Sequence, residues 1–294
     1  MVRLFLDTDF GPDCDDAGAL QIVHFLCDAG EAELLGVTHC TGNPYGLPAI
    51  SALNRFNGRE VPLGTTKRDF LSEYAKYNRP MSEKFPHEFA DGRPQKDAVE
   101  VFREVMRAQE DGSVTVCSIG PLNNLAGFLT DRECRELIER KVVRLVAMAG
   151  NFTPGAKAEW NVEMDVPAAQ KVMQEWPGEI IFCPWECGGP VQTGMTYRGL
   201  EEKHPAACAY YHWTESGMAR SSWDLLTVVQ AIRPNNGLMT VSPWGRIRLD
   251  EKGVSTFAAE LNGRHAYTIN SATAEEISAA LEEMLSASKA RMAR

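Results

Sequence analysis

Short, mostly apolar runs recur along the chain, at residues 2–6, 33–39, 61–64, 114–119, 142–149 and 179–183, and each gives way to Gly, Pro or Asn. Runs of this length with such ends read as buried strands. Between them, residues 17–26, 48–57 and 96–109 carry apolar side chains at the helical period. Strand and helix in alternation predict an α/β fold, an open and mostly parallel sheet flanked by helices. Residues 179–183 form the last parallel strand expected. Beyond them, 238–249 and 253–260 read as a C-terminal β-hairpin. An amphipathic helix then follows at 274–285, with Thr273 and Glu276 spaced as a capping box.

Residues 66–94 break the pattern. They mix charged and aromatic residues with scattered Pro and Gly and show no period. A long irregular stretch in a compact domain marks function or disorder. No repeat interrupts the rest, and one domain over residues 1–294 is expected.

Composition adds exclusions. The chain of 294 residues is 44% hydrophobic and 24% charged, an ordinary globular balance. Thirty basic against 40 acidic residues give a formal charge of −10, which argues against nucleic-acid polymers and anionic membranes as partners. A small uncharged ligand is not disfavoured. The first strand starts at Val2, leaving no room for a signal peptide, and no stretch of about 18 apolar residues appears. With eight dispersed cysteines, the expectation is a cytoplasmic protein with reduced thiols.

The chemistry is concentrated where the first strand ends. Asp7, Asp9, Asp13, Asp15 and Asp16 place five carboxylates within ten residues, around Gly11 and Pro12. The strand-to-helix order puts them at the carboxyl edge of the sheet, where open α/β sheets bind ligands. Five anions so close raise one another's pKa, and a bound hard cation removes the conflict. Asp15 or Asp16 could instead cap the following helix, which accounts for one or two of the five. An EF-hand loop fits badly: Gly18 occupies the twelfth position from Asp7, where the bidentate Glu belongs. A haloacid-dehalogenase-type phosphatase also has an Asp-x-Asp pair here, but places Thr or Val where this chain has Gly11.

Other strand ends bring further polar groups to the same edge. Asn43 follows the second strand, Asn151 the strand at 142–149, and Glu186 the strand at 179–183. Gly120-Pro121-Leu122-Asn123-Asn124 follows residues 114–119, and Glu159-Trp160-Asn161 lies farther on.

Together these motifs resemble the calcium-dependent nucleoside hydrolases of the inosine/uridine-preferring type, over roughly residues 3–235. The aspartate stretch is similar to a subgroup signature Asp-x-Asp-x-Gly-x-Asp-x-Asp-Asp, two residues longer than the commonest form. The resemblance implies that the substrate is a nucleoside or related riboside, that calcium is the cofactor, and that the protein is a homo-oligomer, a dimer or tetramer. It implies hydrolysis of the N-glycosidic bond, with release of base and ribose. Asp9 is then the general base and a metal ligand. Asp16, Asp224 and the Ile119 carbonyl complete the metal shell. Asp15, Asn43, Asn151, Glu159 and Asn161 hold the sugar. Asp13 inherits no role.

The leaving-group side departs from the family. Trp223 stands where many relatives have a protonating His, and indole donates no useful proton at neutral pH. His87, Tyr211, His212 and Glu186 are the candidates to replace it. A different glycoside on the same sugar site, a phosphatase and a ribose-binding protein without turnover remain alternatives.

Overall fold

The structure, a computed structural model, describes residues 1–215 and 218–289. Its first half alternates strand and helix: β1 (Val2–Thr8), α1 (Asp15–Asp28), β2 (Ala32–His39), α2 (Gly46–Phe56), β3 (Leu63–Thr65) and α3 (Asn78–Lys84). Then come β4 (Lys96–Asp97), α4 (Ala98–Arg107), β5 (Val114–Ser118), α5 (Asn123–Thr130), α6 (Arg132–Lys141) and β6 (Val142–Met148). The middle holds α7 (Trp160–Glu163), α8 (Val166–Glu175), β7 (Glu179–Cys183), α9 (Trp185–Gly188) and β8 (Gln192–Thr193). The remainder is α10 (Pro205–Thr214), β9 (Arg220–Ser221), α11 (Trp223–Ile232), β10 (Met239–Val241), β11 (Gly245–Leu249), β12 (Ser255–Ala259), β13 (His265–Asn270) and α12 (Ala274–Ala287).

Eleven strands form one sheet in the order β12–β11–β13–β7–β6–β5–β1–β2–β3–β4, with β10 also paired to β13. All pairings from β4 across to β13 are parallel, so the expected fold class holds. β1 lies near the centre, flanked by β2 and β5. A strand covered on both faces needs apolar side chains in both directions. Leu4 and Leu6 enter a core with α1, α2, α10, α11 and α12, while Phe5 points into a second core with α4, α5, α6 and α8. From β1 the chain builds outward through β2 to β4, then returns to build β5 to β7 on the other side. The strand order therefore reverses between β1 and β5, which opens a crevice beyond their carboxyl ends.

Two expectations are corrected. The last parallel strand is β13, beside β7, rather than residues 179–183. Its sequence HAYTIN carries polar residues because it also borders antiparallel β10 and β11, so it lacks an apolar run. The hairpin is formed by β11 and β12, whereas Met239–Val241 pairs with β13 instead. The capping box on α12 is present, with Glu276 N donating to Thr273 Oγ1 and Thr273 N to Glu276 Oε2. Among the described residues, no helix is long and apolar enough to cross a membrane.

Candidate active site

The aspartate loop is held from several directions. Asp7, the penultimate residue of β1, is fully buried and accepts from Thr38 Oγ1 of β2 at 2.6 Å and Asn124 Nδ2 of α5 at 2.8 Å. Ile119 N, just past β5, donates to Asp7 O at 2.8 Å. Gly120 follows because a Cβ there would sit 2.7 Å from Asp9 N. Neither Asn123 nor Asn124 caps α5: the first donates to Cys40 O and the second to Asp7.

The aperiodic stretch has a task here. Asn78 Nδ2 donates to Phe10 O at 2.6 Å, and Tyr77 Oη to Asp13 O at 2.7 Å. Gly11, at φ +149°, lies so close to Asn78 and the Tyr74 carbonyl that a side chain would collide. Residues 74–78 thus form a brace for the loop.

Two helix N-termini then meet. Asp15 and Asp16 occupy the first turn of α1, and Asp224 the first turn of α11. One oxygen of Asp15 accepts from the backbone N–H groups of Trp223 at 3.0 Å and Asp224 at 3.1 Å, so it tethers α11 while the helix dipole favours its charge. Thr8 Oγ1 donates to Asp16. One carboxylate oxygen each of Asp15, Asp16 and Asp224 lies within 4.8 Å of the others, and all three residues are buried.

Burial dominates the electrostatics. It pushes the Asp9 carboxyl up to about 7 from an ordinary 3.8, and the neighbouring Asp13 and Asp7 charges push the same way. Asp15, Asp16 and Asp224 are also raised, by burial first and then by neighbouring carboxylates: Asp13 on Asp15, Asp9 and Asp15 on Asp16, and Asp15 and Asp16 on Asp224. Three dry carboxylates, of which only Asp15 is eased by a nearby cation, Arg220, fit a hard divalent ion. The mutual repulsion is relieved only when such an ion, or protons, sit among them.

A stability prediction follows. Groups whose folded pKa is raised contribute stability that is complete below the unfolded pKa and lost as pH rises through the folded value. The buried His39, His204 and His265 are held down near 3 to 4 and stay neutral in the folded state, so the loss of the remaining protons from their unfolded forms, about half gone at pH 6.5, opposes the carboxylates only weakly. Chelator-treated protein should therefore lose melting temperature between pH 6.5 and 8.5, and a saturating divalent ion should restore most of that loss. Equal melting temperatures at both pH values under chelation would contradict the raised carboxylates.

The cluster opens into a cavity of about 290 Å³. Its lining falls into two chemical sets. Asp9, Asp15, Asp16, Asp224, Ile119, Glu159 and Asn161 are buried, while Tyr74, Trp160 and Trp185 are exposed and form a rim with the half-buried Trp213 and Trp223. Asp13 and Arg220 also line it. Glu159 caps α7 by accepting from Asn161 N at 2.8 Å, and its other oxygen accepts from Gly150 N at 3.2 Å. Burial raises its carboxyl to about 8. Asn161 Nδ2 donates to Met148 O at 3.0 Å.

Of the residues singled out from sequence, Asp9, Asp15, Asp16, Ile119, Glu159, Asn161, Trp223 and Asp224 come together around this cavity. The others do not. Asn43 spans a turn, accepting from Tyr45 N at 2.9 Å and donating to Ser72 O at 2.7 Å. Asn151 closes a local turn to Thr153 N. Glu186 receives Phe152 N at 3.0 Å. His87 lies in a separate surface groove with Tyr45, Lys84 and Arg93. Tyr211 and His212 stack edge-to-face on α10, and neither lines the cavity. Sequence reasoning missed Tyr74, Trp185, Trp213 and Arg220. The one available signal was Asp13, an extra carboxylate that requires a cationic partner.

A carboxylate-lined pocket at the reversal point of a parallel sheet is the place where α/β proteins take small ligands, and its carboxylates are able to hold a metal ion. The particular family follows from comparison. The profile of the inosine-uridine preferring nucleoside hydrolases matches residues 4–275, and the chain belongs to that family. The family is metal-dependent, and the Asp15–Asp16–Asp224 cluster is able to bind a metal ion. A non-specific ribonucleoside hydrolase of Klebsiella pneumoniae is 34% identical over 197 residues, 61% of this chain and 60% of that protein. An uncharacterised Schizosaccharomyces pombe protein is 30% identical over 195 residues, 58% of this chain and 57% of that one. The matched segment thus spans about three-fifths of these curated relatives' length. Among solved structures, an inosine-uridine preferring nucleoside hydrolase of Bacillus anthracis superposes with a TM-score of 0.73 at 18% identity, covering 97% of this chain and 99% of that one. This likeness shows the shared fold.

Proposed function

We propose that this protein hydrolyses the N-glycosidic bond of a ribonucleoside or related riboside, releasing the base and free ribose. The observation that supports this best is the convergence of Asp9, Asp15, Asp16 and Asp224 with Glu159 and Asn161 on one cavity, in a chain of this family. Asp9, Asp16, Asp224 and the Ile119 carbonyl would hold calcium, an ion suited to an all-oxygen set. When bound, the ion supplies positive charge that gathers water and the ribose 2′ and 3′ hydroxyls in one place.

The chain's own residues do the rest. Asp9 takes a proton from the attacking water as the sugar becomes oxocarbenium-like. Asp15 uses the oxygen not engaged with α11 to accept from a ribose hydroxyl. Glu159, already receiving backbone donors, and Asn161 are pre-set by those bonds to orient the remaining hydroxyls. The aromatic rim excludes water and offers flat surfaces to the departing group.

No histidine lines the cavity among the described residues. A missing general acid typically costs roughly 10²–10⁴-fold. p-Nitrophenyl riboside, whose leaving group departs unprotonated, should therefore be cleaved at least about tenfold faster than inosine or uridine. Release of reducing sugar across a nucleoside panel checks this. Inosine turnover as fast as that of the activated riboside would show a proton donor in place, and no cleavage of any riboside would refute the proposed activity.

A further inference from the structure

We propose that Arg220 is the leaving-group residue of this site: its guanidinium pairs with the departing base as an anion, and Asp13 is the positioning residue that aims it. This rests on the hydrolase reading above. Arg220 is the one cationic side chain lining the cavity among the described residues. It also borders Trp223, which the resemblance to the family sets in the place of a protonating His.

The guanidinium is held rigidly. Its Nε donates to Asp13 Oδ1 at 3.0 Å and Oδ2 at 2.9 Å, and its Nη2 donates to the same carboxylate. Its Cζ lies 4.1 Å from the ring centroid of Trp213 and 4.9 Å from that of Trp223. Those rings are anchored in turn: Trp213 Nε1 donates to Pro12 O at 2.7 Å, and Trp223 Nε1 to Trp185 O at 2.8 Å. Both indole N–H groups are therefore spent and unable to serve a leaving base. By contrast, Nη1 of Arg220 has no hydrogen-bond partner among the described residues. A fork with one edge on a carboxylate leaves its other donors fixed in direction.

This arrangement gives the inserted Asp13 a purpose. It keeps the cation at the rim instead of letting it swing onto the buried aspartates, which attract it electrostatically. It also leaves Arg220 as a hydrogen-bond donor more than as a bare positive charge. In the step itself, the C1′–N bond breaks and its electron pair moves onto the base. Water forms the new C1′–O bond and gives one proton to Asp9. The base leaves as an anion hydrogen-bonded to Nη1 and takes a proton from solvent, and Asp9 returns its own proton to solvent.

The test compares kcat/KM on inosine and p-nitrophenyl riboside for calcium-loaded wild-type protein and three variants. Loss of one donor aimed at developing charge costs roughly 10²–10³-fold in comparable sites. Arg220→Ala should lose about that much on inosine but only a few-fold on p-nitrophenyl riboside, and millimolar guanidinium should restore part of the inosine activity. Arg220→Lys keeps the charge without the fork and should be impaired in the same direction. Asp13→Asn should also lose inosine activity selectively, yet without rescue by guanidinium, because Arg220 still fills the place. Equal losses on both substrates, or no loss on either, would overturn the assignment while leaving the hydrolase reading intact. Wild-type protein that cleaved neither riboside would overturn the hydrolase reading, and this assignment with it.

Discussion

Asp9→Asn should lower kcat by roughly 10²–10⁴-fold on any riboside the wild-type protein cleaves, while leaving ribose affinity close to normal. Asn fills the same volume but accepts no proton, so water attacks unassisted. The Asp15–Asp16–Asp224 cluster remains in the variant, so part of the ion affinity should survive, and any weakening there adds to the loss. Steady-state kinetics with the ion content measured in parallel separate the two effects. A variant that kept near wild-type kcat with its ion bound would put the base elsewhere. Asp13 would be the first residue to examine, although its carboxylate is engaged by Arg220.

The second large effect is expected at Asp224, the proposed ligand from the distant helix α11. Asp224→Asn removes one of three clustered carboxylates and should abolish tight binding of the divalent ion, taking turnover with it. Its effect on stability should have the opposite sign. Burial, reinforced by Asp15 and Asp16, raises the Asp224 carboxyl well above its ordinary range, so the ionised form costs stability at neutral pH in the metal-free chain. The metal-free variant should therefore melt at or above the temperature of metal-free wild type at pH 8. That outcome would show function maintained against folding stability, as is common where charges are gathered for a ligand. A variant that melted lower and still bound the ion normally would remove Asp224 from the metal site.

The central strands were legible because β1, β2, β5, β6 and β7 are covered on both faces and so carry nearly unbroken apolar runs. β13 escaped notice because one flank is parallel and the other antiparallel, and its half-buried positions admit His, Thr and Asn. Helix α3 was hidden in the aperiodic stretch, since its seven residues bury a single apolar side chain, Met81, beside the polar Asn78 and Ser82 and so show no apolar period. The carboxylate half of the site could be read because four of its members share one loop. Of the aromatic half, only Trp160 and Trp223 were legible, each beside a motif residue. Tyr74, Trp160, Trp185, Trp213 and Arg220 come from separate segments, and only the fold brings them together. Asn43 and Asn151 show the converse failure: an Asn after a strand looks like a ligand whether it binds sugar or closes a turn, and here each closes a turn.

Removal and return of the ion tests the central claim most directly. Chelator-treated protein would be titrated with calcium while bound ion and p-nitrophenyl riboside cleavage are followed together. Activity should be nearly absent at the start, rise with the ion bound, and saturate at about one equivalent, as a single carboxylate-lined site requires. Full activity in protein shown to hold no divalent ion would contradict the account.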